Sequence, residues 1–258
     1  MGYKTDGSSH ADGIKNEKAL CARLKQDKNL ADKIARQSLP SNYGVEHLGG
    51  TQNKADGVIR TETNAVELSY KRKKSIYKGS YDHINSSRAY KSIKKYLPEL
   101  EANFARAKCR QMAVSTARKK INQAPNNCWA NRAGPVIADL LKKYVTDVNE
   151  RLRMVITDST TNDLYVYDFK DTPLYNHIKR KSSITLTGKG KTSRKVLFDG
   201  EDIGLRMRIV TNNGISALLG KSKKNKTSIP VVKFQQDKVS NLLSQVANVE
   251  KISLNECD

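Results

Sequence analysis

The hydrophobic spacing changes period along this chain, and that change limits the fold to a mixture of helices and strands. Between Gly13 and about Gln37 the apolar residues Ile14, Leu20, Leu24, Leu30 and Ile34 recur at helical intervals, and Pro40 ends the stretch. Residues 41–55 carry Asn42, Gly44, Gly49, Gly50 and Asn53 and read as loop. The period then drops to two. Asp56-Gly57-Val58-Ile59-Arg60 and Ala65-Val66-Glu67-Leu68-Ser69-Tyr70-Lys71 are strand candidates, with Thr61 to Asn64 as their tight connection, so they predict an antiparallel hairpin.

Further along, 82–96, 99–121 and 136–149 read as helices. After Arg151 the character becomes β: pieces at 152–156, 164–166, 184–186, 196–198, 205–209 and 231–234 are strand-like, and 237–248 reads as a last amphipathic helix. The expected architecture is α/β, one domain over 1–258. Its first part, 1–150, is a core with helical insertions, and 151–258 is a β-rich region for target contact.

Charge narrows the class of partner. Lys and Arg total 47 against 26 Asp and Glu, a formal net charge of +21, and every block of about fifty residues is net positive. The excess therefore belongs to the folded body rather than to a tail. A surface this basic attracts a polyanion, and nucleic acid is the commonest one, bound through phosphate neutralisation and counterion release. The densest stretch follows Tyr70, where Lys71, Arg72, Lys73, Lys74, Lys78, Arg88 and Lys91 are interleaved with Tyr77, Tyr81 and Tyr90. Lys73, Lys74, Lys78, Arg88 and Lys91 are the expected contacts to a DNA backbone.

Other classes are disfavoured. No apolar run approaches the roughly 20 residues a bilayer requires, and the N-terminus lacks the apolar stretch of a secretory signal, so a cytoplasmic location and no membrane partner are expected. Cys21, Cys109, Cys128 and Cys257 are scattered without a CxxC pair and read as reduced thiols. The four histidines are dispersed, and GxxxxGK[ST] is absent, which argues against an ATP-driven motor.

The chemistry-bearing residues lie on the hairpin. Glu67, Ser69 and Lys71 occupy alternate positions of one strand and share a face, and the hairpin brings Asp56 beside it. Two carboxylates and a lysine at a strand edge suit a divalent cation with oxygen ligands, Mg²⁺ above all, next to an ammonium that can stabilise charge on a phosphate.

Lys54-Ala55-Asp56-Gly57-Val58-Ile59 followed by Val66-Glu67-Leu68-Ser69-Tyr70-Lys71 resembles the PD-(D/E)xK nuclease superfamily, which includes many type II restriction endonucleases. Asn16-Glu17-Lys18-Ala19-Leu20 fits the helical glutamate that members often add before the first strand. The chain departs from the pattern in two places. Ala55 stands where the family has proline, and Glu67 is four residues from Lys71 rather than two. Either Ser69-x-Lys71 is the variant pair, with Lys71 as the catalytic lysine, or Glu67-x-Ser69 is the pair and its lysine is displaced.

The resemblance implies a restriction-endonuclease-like central mixed sheet flanked by helices and Mg²⁺-dependent hydrolysis of DNA phosphodiesters. In that reading Asp56 and Glu67 are metal ligands, Lys71 positions the nucleophile, and Glu17 holds a second metal or a metal-bound water. Cutting both strands of double-stranded DNA suggests a homodimer. The rival reading is a packaging or regulatory protein that binds nucleic acid without cleaving it.

Overall fold

The computed structural model describes residues 8–49, 55–84, 141, 151–187, 193–211 and 230–254. Residues 85–96 of the expected helix 82–96, and the expected helices at 99–121 and 136–149, lie outside them, apart from helical Leu141. So do Arg88 and Lys91. Over the described residues the protein is α/β, with four α-helices and eleven strands in two sheets. The chain divides into two compact units, one made of Met1–Gly79, Val148–Asn176 and Leu243–Asp258, the other of Ser80–Asp147 and His177–Leu242.

The first unit begins with α1 (Ser8–Gln26) and α2 (Lys28–Ala35). Where the apolar spacing predicts one helical stretch from Gly13 to Gln37, the structure breaks it at Asp27. That residue leaves helical geometry (φ −108°) and its carboxylate accepts from the Leu30 amide at 2.9 Å. The cap satisfies a backbone donor that the new helix would otherwise leave open. Helix α1 also starts at Ser8, earlier than the expected Gly13.

Strands β1 (Gly44–His47), β2 (Gly57–Arg60) and β3 (Ala65–Lys73) form a meander, followed after a long excursion by β5 (Arg153–Asp158), β6 (Asp163–Asp168) and β11 (Glu250–Ser253). Their order is β1-β2-β3-β5-β6-β11. The hairpin forms as expected. Gly57 stands opposite Leu68 and Arg60 opposite Ala65, and Thr61 closes the turn by accepting the Asn64 amide on Oγ1 at 3.0 Å. Strand β3 pairs parallel to β5, from Leu68 opposite Arg153 to Lys73 opposite Asp158, while the other pairs are antiparallel, so the sheet is mixed.

Two strands differ from the sequence expectation. Strand β1 lies in a stretch that reads as loop, and β11 follows a helix that is shorter than 237–248. Both are sheet edges, where one bonded flank and one apolar position suffice and period-two alternation barely registers.

The main core of this unit lies between the helices and one face of the sheet. Leu20, Leu24, Leu30 and Ile34 pack with Ile59, Val66, Leu68, Val155 and Val166. Helix α1 passes close to Gly57. A Cβ there would sit 3.0 Å from Cys21 Sγ and 3.3 Å from the Glu46 carbonyl oxygen. Gly57→Ala should therefore destabilise the fold by about 1–3 kcal/mol through overpacking. A urea midpoint checks this, and Cys21→Ala in the same chain should recover part of the loss.

The second unit contains β4 (Tyr81–Ile84), β7 (Ile184–Thr187), β8 (Ser193–Phe198), β9 (Leu205–Thr211) and β10 (Pro230–Gln236), in the order β4-β10-β9-β8-β7. All its pairs are antiparallel. Helix α3 (Pro173–Lys179) and the short α4 (Val239–Leu243) each cross the boundary between the two units in sequence. Residues 82–84, expected at the start of a helix, are strand instead. Tyr81 and His83 are buried in β4, and β10 supplies backbone partners that local propensity does not register.

Asp202, in the turn before β9, gathers Arg206, Lys195 and the Gly204 amide within 2.7–3.0 Å. Burial alone would raise its pKa, but the hydrogen bonds from Arg206, Lys195 and Gly204 outweigh it and hold the carboxyl down at about 2. A carboxyl held below its unfolded value of 3.8 contributes stability above that pH and loses it as pH falls toward 2. Solvent screening leaves about 1 kcal/mol of it. Asp202→Asn should lower stability by that amount at pH 7 and shrink the difference from wild type below pH 3, as urea midpoints across the acid range would record.

Candidate functional site

The end of the first sheet where β1 and β3 finish and β2 begins collects the polar side chains of interest. The register that sets Gly57 against Leu68 carries Asp56 to the level of Ser69. One carboxylate oxygen of Asp56, Oδ2, accepts from the Tyr70 amide at 2.8 Å, Lys71 Nζ at 3.0 Å and Ser69 Oγ at 3.4 Å. Asp56 is 15% exposed and Lys71 36%, so the ion pair is half withdrawn from water and still reachable. The other oxygen, Oδ1, accepts no hydrogen bond among the described residues.

Strand alternation separates β3 into two rows. Val66, Leu68 and Tyr70 belong to the core beneath the helices, and Glu67, Ser69 and Lys71 take the intervening positions. Tyr70 is a core residue whose hydroxyl accepts from Thr157 Oγ1 at 3.0 Å, and burial pushes its pKa up. Ser69 is fully buried beside Asp56.

The residues expected to form the site therefore divide. Asp56 and Lys71 meet, with Ser69 rather than Glu67 between them. Glu67 stands opposite Val58, half-buried, and makes no ion pair with Lys71. Glu17 projects from α1 one turn before Cys21, and its Oε2 lies 3.3 Å from His47 Nε2 at the end of β1. Sequence reasoning missed His47, because a histidine in an apparent loop, thirty residues from its partner, carries no spacing signal. The buried Cys21 thiol lies within the electrostatic reach of both Glu17 and Asp56, and burial first, then those two carboxylates, raise its pKa against the opposing Lys25.

Beside these residues a cavity of about 740 Å³ opens along α1 and the end of β3. Glu17, Tyr70, Lys71 and Arg72 line it together with Lys74. Of the basic residues expected to meet DNA, Lys74 and Lys78 are exposed in the turn after β3, and Lys73 is half-buried along Gly79.

The donor chemistry bears on a metal. Among the described residues no group of three or more His, Cys, Asp or Glu side chains could hold an ion. Mg²⁺ does not require such a cage, since it keeps several waters and commonly takes one or two carboxylates plus substrate phosphate. Asp56 Oδ1, which accepts no hydrogen bond among the described residues, is an oxygen of the kind that mode uses. No family model, no curated protein and no solved structure matches the chain.

Proposed function

We propose that the protein is a Mg²⁺-dependent endonuclease acting on DNA, of restriction or phage type, with its reacting groups at this end of the mixed sheet. The observation that carries the reading is the Asp56–Lys71 pair: a carboxylate at the start of the hairpin and an ammonium on β3 at 3.0 Å, with Lys71 lining an open cavity in a chain of net charge +21. A protein that only binds phosphate gains nothing from aiming a carboxylate at its ligand, because like charges repel.

Asp56 would hold the cation through its open oxygen, with Glu17 as a second oxygen donor or the anchor of a bound water. When bound, Mg²⁺ lowers the pKa of a coordinated water and neutralises phosphate charge. The chain's own groups do the rest. Lys71 carries a positive charge to the place where the phosphorane gains negative charge, which stabilises the transition state more than the ground state. The Tyr70 amide and Ser69 hydroxyl hold Asp56 in one orientation, so no reorganisation is needed when substrate arrives. In this arrangement Ser69 fills the slot where the superfamily pattern has its second acid, and Glu67 is the departure.

Incubation of plasmid DNA with the protein, with Mg²⁺ and with chelator, tests the reading. Nicking or linearisation that requires the metal is the expected result. A salt-sensitive mobility shift without cleavage under any divalent cation would select the non-enzymatic binder. A homodimer follows from the proposal only if cleavage cuts both strands in one encounter, which the ratio of linear to nicked product reports.

A further inference from the structure

We infer that Arg72 is a preset phosphate clamp and that the cavity between α1 and the end of β3 seats the DNA backbone next to the reacting groups. The inference rests on the proposed action on DNA, but it concerns binding and can fail separately.

Arg72 is an exposed residue that the fold nevertheless holds in place. Its Nε donates to Ser159 Oγ at 2.8 Å and its Nη1 to Asn16 Oδ1 at 2.9 Å. Those partners come from the turn after β5 and from α1, so two separate elements aim one guanidinium. Ser159 is itself fixed, since its amide donates to the Lys73 carbonyl at 2.8 Å. The neighbouring Asp158, fully buried, accepts from the Ile76 amide at 3.1 Å and the Thr160 amide at 2.8 Å. The stretch after β3 is thus tied to the β5–β6 turn by backbone and side chain alike.

Both partners of Arg72 are neutral oxygens, so the guanidinium is positioned without being neutralised. Among the described residues no carboxylate comes within ion-pair distance of Arg72, Lys15 or Lys74, all of which line the cavity. The acids that share the lining are Asp12 and Glu17, and Glu17 already faces His47. Lys71 is engaged by Asp56. The cavity therefore offers three uncommitted cations, one of them oriented, beside Lys71, the lysine that Asp56 engages. Of its five N–H donors, two are given to Ser159 and Asn16, and those remaining on Nη1 and Nη2 are available to phosphate oxygens. Arg72 and Lys71 leave β3 on opposite faces, yet both line the cavity, so a backbone seated there passes the clamp and the lysine together.

The measurement is fluorescence anisotropy of a labelled DNA duplex in chelator, where no cleavage intrudes, titrated at several salt concentrations. Arg72→Gln should weaken binding about fivefold to tenfold at about 0.1 M salt and lower the log–log salt slope by about 0.9, the loss of one phosphate contact. Arg72→Lys should keep the slope but recover only part of the affinity, because an ammonium cannot bond Ser159, Asn16 and a phosphate in one plane. Lys33→Gln, an exposed charge on α2 away from the cavity, serves as the control and should change affinity less than twofold.

Wild-type affinity and slope in Arg72→Gln would overturn the inference, as would full affinity in Arg72→Lys or no duplex binding by the wild type. Absence of metal-dependent cleavage alongside the expected binding results would instead remove the nuclease reading and leave the clamp standing.

Discussion

Asp56→Asn should reduce plasmid cleavage at least about a hundredfold while duplex binding in chelator stays within about threefold of wild type. The substitution keeps an oxygen that can accept from the Tyr70 amide and Ser69, so the local backbone is preserved. It removes the charge that Lys71 faces and the anionic oxygen available to a cation. Removing a single preorganised electrostatic group at a reacting centre commonly costs a factor of about 10²–10³. The pair is partly solvated, and such pairs contribute only about 0–1 kcal/mol to stability, so the melting temperature should move by a few degrees at most. Lys71→Met should lose activity to a similar degree with the same small thermal change. Initial rates of supercoiled-plasmid loss check both. A wild-type rate in either variant would remove the site from consideration, whereas a large thermal loss would assign the pair to the fold.

The second large effect concerns stability. Asp168→Ala should destabilise the first unit by about 3–5 kcal/mol, a large part of the total of about 5–15 kcal/mol expected for a domain. Arg153, only 8% exposed on β5, places Nε 3.0 Å from Asp168 Oδ1, and Arg36 approaches the same carboxylate at 3.6 Å. Burial pulls the Arg153 pKa down and Asp168 pushes it back up. Without Asp168 the guanidinium remains inside the protein with its nearest counter-charge gone, and Arg36 adds repulsion.

The paired substitution Arg153→Met with Asp168→Leu removes both charges together and should cost much less than Asp168→Ala alone. The penalty belongs to the orphaned ion rather than to the lost attraction. Urea denaturation of the three chains gives the comparison. A single-variant loss below about 1 kcal/mol would show that water already reaches the pair.

These two sites differ in how far the sequence foretells them. Asp56 and Lys71 could be found because a hairpin is a local device. Once Thr61 to Asn64 are read as the turn, register alone sets Asp56 against Ser69, and alternation turns Lys71 the same way. The Arg153–Asp168 pair links neighbouring strands too, but its significance depends on burial, and burial depends on Arg36 arriving from α2. The Arg72 clamp is further out of reach. Asn16, Arg72 and Ser159 lie on three elements brought together only when β5 adds to β3.

The errors follow the same rule. Asp27 sits inside an apolar pattern that continues on both sides, so periodicity passes over it, whereas its capping hydrogen bond divides the helix. The edge strands β1 and β11 are strands because a neighbour supplies backbone partners. Asp82 to Ile84 are strand because β10 lies beside them, although the local pattern favours a helix.

The sequence by itself determined the class of the fold, the hairpin and its face of polar residues, and the positive charge of the whole body. Each of these depends on near neighbours or on a sum over the chain, and needs no knowledge of what lies across the core. Tertiary structure alone decided that His47 meets Glu17 and that Arg72 is held from two sides. Those outcomes rest on side chains distant in sequence meeting at hydrogen-bond range, and such meetings are set by packing and strand order rather than by local pattern.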